Sequence, residues 1–124
     1  MPREQKIVFI IDPDEGIRES LEALLGTLAI STLSYPDVEA FLDSISDQFP
    51  DRGCLIVDAT LPGLGSLALL KRLRKEGSKL PVLVLASTSN RDIAALALQA
   101  GAAAVIDKPL ANGQLLERLQ QVMK

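Results

Sequence analysis

Short apolar runs alternate five times with longer stretches whose apolar residues recur every three or four positions. The runs read as strands and the longer stretches as amphipathic helices. Strands are expected at 6–11 (KIVFII), 54–58 (CLIVD), 82–86 (VLVLA, opened by Pro81) and 102–106, with a weak second strand at 29–33. The first helix is expected over 15–28, with Ile17, Leu21, Leu24, Leu25 and Leu28 on one face. The second covers 37–46 behind Pro36, with Val38, Phe41, Leu42 and Ile45 at helical spacing. The third covers 66–76, with Leu67, Leu70 and Leu73, and stops at Gly77. The fourth runs over 90–100, entered at Ser89 or Asn90 and closed by Gly101. The fifth covers 112–123, with Leu115, Leu116, Leu119, Val122 and Met123 facing inward.

Strands one, three and four are continuously apolar, as strands covered on both faces of a parallel sheet must be. Five strand–helix units with right-handed crossovers give a three-layer α/β domain, a flavodoxin-like doubly wound (βα)5 sheet occupying 1–124. The weak second strand belongs at an edge, so the expected strand order is 2-1-3-4-5. Three of the runs end in charge: Ile11 is followed by Asp12-Pro13-Asp14, the third run finishes on Asp58, and Ile106 is followed by Asp107-Lys108-Pro109. In that order Asp12 and Asp58 become neighbours at the carboxyl edge of the sheet, where ligands of open α/β sheets bind. Two acidic points and a lysine there suit a divalent cation and a phosphoryl group.

Composition narrows the chemistry. The chain has 124 residues, enough for one domain with its own core. It has no histidine, which rules out Ser-His-Asp and Cys-His catalysis and argues against zinc. The single cysteine, Cys54, lies inside an apolar run and reads as a buried small hydrophobe in a reducing compartment. Net charge is −3 and aromatics make up 3%, so neither a basic groove nor a stacking platform for nucleic acid is expected. Lys71, Arg72, Arg74 and Lys75 read as the solvated face of the third helix. No apolar stretch approaches a membrane span, and MPREQK leads directly into a strand pattern, so a cytoplasmic location is expected.

The acidic end of strand one, the segment LIVDATLPGLG around Asp58 and the segment AGAAAVIDKPL around Lys108 together resemble the receiver domain of bacterial response regulators, from about Lys6 to Met123. The wording of the first helix (GIRESL) and of the second helix (EAFL) is most similar to the nitrogen-fixation and nitrate regulator branch. The resemblance implies a signalling domain, not an enzyme. By position, Asp58 matches the phosphoacceptor, a carboxylate nucleophile that takes its phosphoryl group from a histidine kinase. Asp12, Asp58 and the Thr60 backbone carbonyl match ligands of Mg²⁺, with Asp14 as a further candidate. Lys108 matches the lysine that pairs with the phosphoryl oxygens. The family implies an output domain or partner protein, reached through the fourth-helix and fifth-strand face, with homodimerisation as one form of that contact and no nucleic acid bound by the receiver itself.

Three positions depart from the family pattern. Pro13 stands where a second acidic metal ligand is usual, so weak Mg²⁺ binding is expected. Ala86 stands where the family places a Ser or Thr hydroxyl, leaving Ser87 as the nearest hydroxyl. Val105 replaces the switch aromatic. These departures motivate a second function class, a pseudo-receiver that acts as an interaction module without phosphorylation. A third is a haloacid-dehalogenase-type phosphatase, because Asp12-Pro13-Asp14 resembles its D-x-D opening, although the chain is short for that family. The fourth helix has almost no polar face. One stripe must pack on the sheet, while the other, including Leu98, faces solvent as a candidate partner surface.

Overall fold

Alternate residues of a strand point to opposite sides, so strands that are apolar throughout need a helical layer on each face. The computed structural model describes residues 7–46, 48–61, 65–87, 91–108 and 113–123 and has that arrangement. The elements run β1 (Ile7–Ile11), α1 (Glu15–Gly26), β2 (Ser31–Tyr35), α2 (Val38–Ser44), β3 (Cys54–Asp58), α3 (Gly65–Lys75), β4 (Val82–Ala86), α4 (Arg91–Gln99), β5 (Ala104–Asp107) and α5 (Gln114–Val122). Every pairing is parallel, and the strand order is β2-β1-β3-β4-β5, as the weak second strand implied.

The two faces make two cores. Phe9, Ile11, Leu55, Val57, Val82 and Val84 pack with α2, α3 and Ala97 of α4. Val8, Ile10, Ile56, Leu83, Leu85 and Ile106 pack with Leu21 and Leu25 of α1 and Leu115 and Leu119 of α5. Phe41 anchors the first core, with the rings of Phe9 and Tyr35 each edge-on at 5.6 Å. Truncating such a buried ring to alanine costs about 3–5 kcal/mol. Cys54 is fully buried and its thiol is pushed up to about 12 by desolvation, so it packs as a hydrophobe. Gly53 enters β3 at φ +105°, and a Cβ there would lie 2.0 Å from the Ile7 carbonyl oxygen, so only glycine fits beside β1.

At the α1–β2 junction two boundaries differ from the sequence expectation for one physical reason. The second strand begins at Ser31, not at residue 29, and α1 ends at Gly26, not at residue 28. The Ile30 N–H donates to the Leu25 carbonyl and the Ala29 N–H to the Gly26 carbonyl, both at 3.0 Å, with Ala29 at φ +59°. This is a Schellman closure with alanine in the left-handed position usually held by glycine. Leu28 therefore leaves the helical face, and it and Leu24 are 47% and 38% exposed. Glycines make the same closure after α3, at Gly77, and after α4, at Gly101. The last of these delays β5 to Ala104, not residue 102. The other helix ends shift by one or two residues. Ser89 and Asn90, expected to cap α4, and Asn112, expected to open α5, lie outside the described residues.

Candidate functional site: an acidic pair and a lysine at the carboxyl edge

The sheet register assembles the site. β1 and β3 pair through Ile11 and Val57, so Asp12, one residue past β1, and Asp58, the last residue of β3, lie side by side. The Asp12 N–H donates to the Tyr35 carbonyl at 3.1 Å, which holds the strand end against β2. Lys108 follows β5, and its N–H donates to the Ala86 carbonyl at 2.9 Å. From there its side chain reaches across β4. Lys108 Nζ donates to Asp58 Oδ1 at 2.7 Å and stands 3.7 Å from Asp12 Oδ2. Residues 12, 58 and 108 therefore form one cluster, although they are far apart in sequence.

Both carboxylates are buried, Asp12 at 1% and Asp58 at 2% exposure. Burying charge is costly unless it is paired, and the pairing here is uneven. Asp58 is satisfied on both oxygens, with Lys108 on Oδ1 and the Thr60 hydroxyl donating to Oδ2. Asp12 Oδ1 accepts the Asp14 N–H at 2.8 Å, but its buried Oδ2 has no hydrogen-bond partner among the described residues. Desolvation is the main cause that raises the Asp12 pKa above its ordinary value, with the neighbouring Asp58 charge adding to it against the Asp14 N–H. Burial works to lower the Lys108 pKa, but its hydrogen bond to Asp58 and the charge of Asp12 outweigh that and hold it above the usual lysine value.

The orphaned Asp12 oxygen tests whether the residues present suit a metal. Two carboxylates against one ammonium leave the cluster with a deficit of positive charge, and one buried oxygen lacks a donor. Among the described residues no three acidic, histidine or cysteine side chains converge on one point. Mg²⁺ keeps most of its waters and takes one or two carboxylates, so Asp12, Asp58 and the Thr60 carbonyl suit it as a sparse site. Pro13, with no side-chain oxygen, adds nothing. The Asp14 carboxylate caps α1, with its Oδ1 accepting the Gly16 and Ile17 N–H groups at 2.8 and 3.3 Å.

The switch positions are of another character. Ala86 ends β4, is 2% exposed and packs in the α2–α4 core. Ser87 is the first residue past β4 at the same edge and is half-buried. Val105 is half-buried against the same core as Ala86. On α4 only Ala97 is fully buried, while Leu96 and Leu98 are 47% and 51% exposed.

Two contacts escaped the sequence. Arg18 of α1 donates to the Asp12 backbone carbonyl at 2.6 Å and ties the β1–α1 loop to the helix. The hydroxyl of Thr60 reaches its neighbour Asp58, a contact apart from the metal-ligand role that the resemblance gives to the Thr60 carbonyl. A hydroxyl two residues after a carboxylate was the available signal, because short polar side chains bond locally at that spacing.

Comparison with known proteins agrees with this fold. The family model for the response regulator receiver domain matches residues 8–120. The transcriptional regulatory protein FixJ of Azorhizobium caulinodans is 33% identical over 109 residues, 88% of this chain and 51% of that protein. FixJ of Bradyrhizobium diazoefficiens is 28% identical over 117 residues, 94% of this chain and 56% of that protein. The crystal structure of full-length FixJ from B. japonicum superposes with a TM-score of 0.85 at 28% identity, covering 96% of this chain and 58% of that one. The chain thus spans about half the length of the curated relatives it matches. Among the described residues no helix is long and apolar enough to cross a membrane. Receiver domains are signalling domains, not enzymes; they take phosphoryl groups from histidine kinases with Mg²⁺ and act with output domains. With this fold, this edge cluster and a family match along nearly its whole length, the chain belongs to the response regulator receiver family of two-component signalling.

Proposed function

We propose that Asp58 is the phosphoacceptor of this receiver, that Asp12, Asp58 and the Thr60 carbonyl hold Mg²⁺, and that Lys108 neutralises the incoming phosphoryl group. The observation that carries this reading is the Lys108 ammonium at 2.7 Å from Asp58, with a buried Asp12 oxygen beside it that accepts no hydrogen bond among the described residues. Phosphoryl transfer depends chiefly on positioning and charge neutralisation. An Asp58 oxygen attacks phosphorus, the bond from phosphorus to the donor breaks, and the carboxylate becomes an acyl phosphate. Bound Mg²⁺ supplies positive charge to the phosphoryl oxygens. Lys108 supplies it from the other flank, already aligned by its salt bridge. Asp14 serves as the α1 cap, and Ser87 offers the nearest hydroxyl in place of the one missing at Ala86.

The donor is a histidine kinase, and the partner is an output domain or protein that meets the α4–β5 face. A second copy of the chain is one form of that partner. The exposure of Leu96 and Leu98 supports this face. The pseudo-receiver remains the second reading, favoured by Pro13, Ala86 and Val105 together. Intact-mass measurement with acetyl phosphate and Mg²⁺ separates the two. The phosphoacceptor reading expects a gain of one phosphoryl group that Asp58→Asn abolishes. No gain by the folded parent protein supports the interaction module instead.

A further inference from the structure

A carboxylate can present an oxygen to a cation only as accurately as its own backbone is held. Asp12 is held at three of its four polar groups. Its N–H donates to the Tyr35 carbonyl at 3.1 Å, its carbonyl accepts Arg18 Nη1 at 2.6 Å, and its Oδ1 accepts the Asp14 N–H at 2.8 Å. The fourth group, Oδ2, accepts no hydrogen bond among the described residues. The two backbone tethers differ in kind. The bond to Tyr35 continues the pairing of β1 with β2, whereas Arg18 reaches back from the first turn of α1 to the carbonyl that precedes Pro13. Pro13 supplies neither an N–H to tether the turn nor an oxygen to share a metal.

We infer that Arg18 is a positioning residue for the cation site: its guanidinium clamps the Asp12 carbonyl and thereby aims the open Asp12 oxygen into the site. The inference rests on the proposed Mg²⁺ site and names what orients one of its ligands. Two effects of Arg18 oppose each other. A fixed positive charge near a cation site weakens cation binding by repulsion. A tether on a ligand strengthens binding, because the ligand need not be ordered when the cation arrives. The contacts favour the tether. The guanidinium meets the peptide carbonyl, not the carboxylate. Beyond burial and the Asp14 N–H, the charges that shift the Asp12 pKa are Asp58, Lys108 and Asp14, and Arg18 is not among them. Pro13 brings no oxygen, so more of the site's accuracy falls on Asp12.

The test removes the donor and keeps the stem. Arg18→Met does this, Arg18→Lys keeps a charged donor, and Arg18 is only half-buried, so neither change opens the core. Mg²⁺ is titrated into each protein and followed by amide chemical shifts at residues 12 and 58. Amide hydrogen exchange is measured without metal at Asp14 and, as a reference within β1, at Ile10. Arg18→Met should bind Mg²⁺ about tenfold more weakly, the low end of what losing a contact that orients a metal ligand costs. Its Asp14 amide should exchange about fivefold faster, the worth of one hydrogen bond, while Ile10 keeps the parent rate. Arg18→Lys should recover part of both losses. Equal or tighter Mg²⁺ binding by Arg18→Met overturns the inference, because repulsion would then outweigh aim. Exchange that quickens as much at Ile10 as at Asp14 also overturns it, since Arg18 would then be a general prop of the fold. The metal-free arm stands apart from the site. Faster exchange confined to Asp14, with no Mg²⁺ response in any of the proteins, upholds the tether and rejects the Mg²⁺ site. A Mg²⁺ response of one common affinity, with Asp14 exchange unchanged, does the reverse.

Discussion

The β1–β3 edge and the α4–β5 side of this domain have diverged to different degrees from the receiver pattern they share. At the β1–β3 edge, Asp12, Asp58 and Lys108 sit in one cluster tied by a 2.7 Å ion pair, with both carboxylates buried. On the α4–β5 side, the hydroxyl position is Ala86, packed into the core, and the aromatic position is Val105. The charged groups proposed to neutralise a phosphoryl group stand together there, less the acidic side chain that Pro13 lacks, while the positions that the resemblance gives to reporting it are aliphatic. Accepting charge and reporting it are separable properties. Charge neutralisation needs a few close atoms, whereas reporting needs a side chain with two alternative positions, and a buried alanine has none.

The largest expected effect lies in the ion pair. Lys108→Met leaves two buried carboxylates without their cation, and breaking such a pair costs about 3 kcal/mol. The Lys108 pKa is raised in the folded state, so its contribution is fully present below the ordinary lysine value and is lost as pH rises through the folded one. Urea unfolding at several pH values should show the gap between parent and variant steady near neutrality and closing in strong base. A gap that widens in base would show that the ammonium does not hold the edge together.

Ala86→Thr should have a middling effect of two opposite kinds. Ala86 is 2% exposed, so added atoms overpack the core by about 1–2 kcal/mol. The same hydroxyl should extend phosphorylation-induced amide shifts from Asp58 into α4 and β5. If the shifts remain confined to the edge in this variant, the silence of the far side has another cause. The smallest effect is expected for Leu96→Ser combined with Leu98→Ser. Both side chains are about half exposed, so thermal stability should move by less than about 0.5 kcal/mol each. Sedimentation should show weaker self-association or partner binding if α4 is the contact face, and no change if it is not.

The legibility of the sequence follows the same division. The strand order and edge cluster were readable because β1, β3 and β4 are apolar on both faces, and each charged residue sits where a strand must end. The start of β2 was not, because Ala29 takes a left-handed position that sequence assigns to glycine, and nothing nearby announces it. The clustering of Asp12, Asp58 and Lys108 was readable, but much of its bonding was not. That Asp12 keeps an unpartnered oxygen, that Thr60 covers Asp58, and that Arg18 ties down the Asp12 carbonyl all depend on side-chain placement at strand ends, where spacing no longer constrains direction. The exposure of Leu98 was readable from a helix with too many apolar residues for one face, whereas that of Leu28 followed from an early helix stop that the pattern concealed.

The most direct test of the central claim is an amide chemical-shift map of the folded protein with Mg²⁺ and beryllofluoride, a mimic of the phosphoryl group. The account predicts large, saturable shifts at Asp12, Asp58, Thr60 and Lys108, all lost in Asp58→Asn, with small ones beyond Val105. Saturating reagent that leaves those four residues unmoved, or moves them equally in Asp58→Asn, would contradict it.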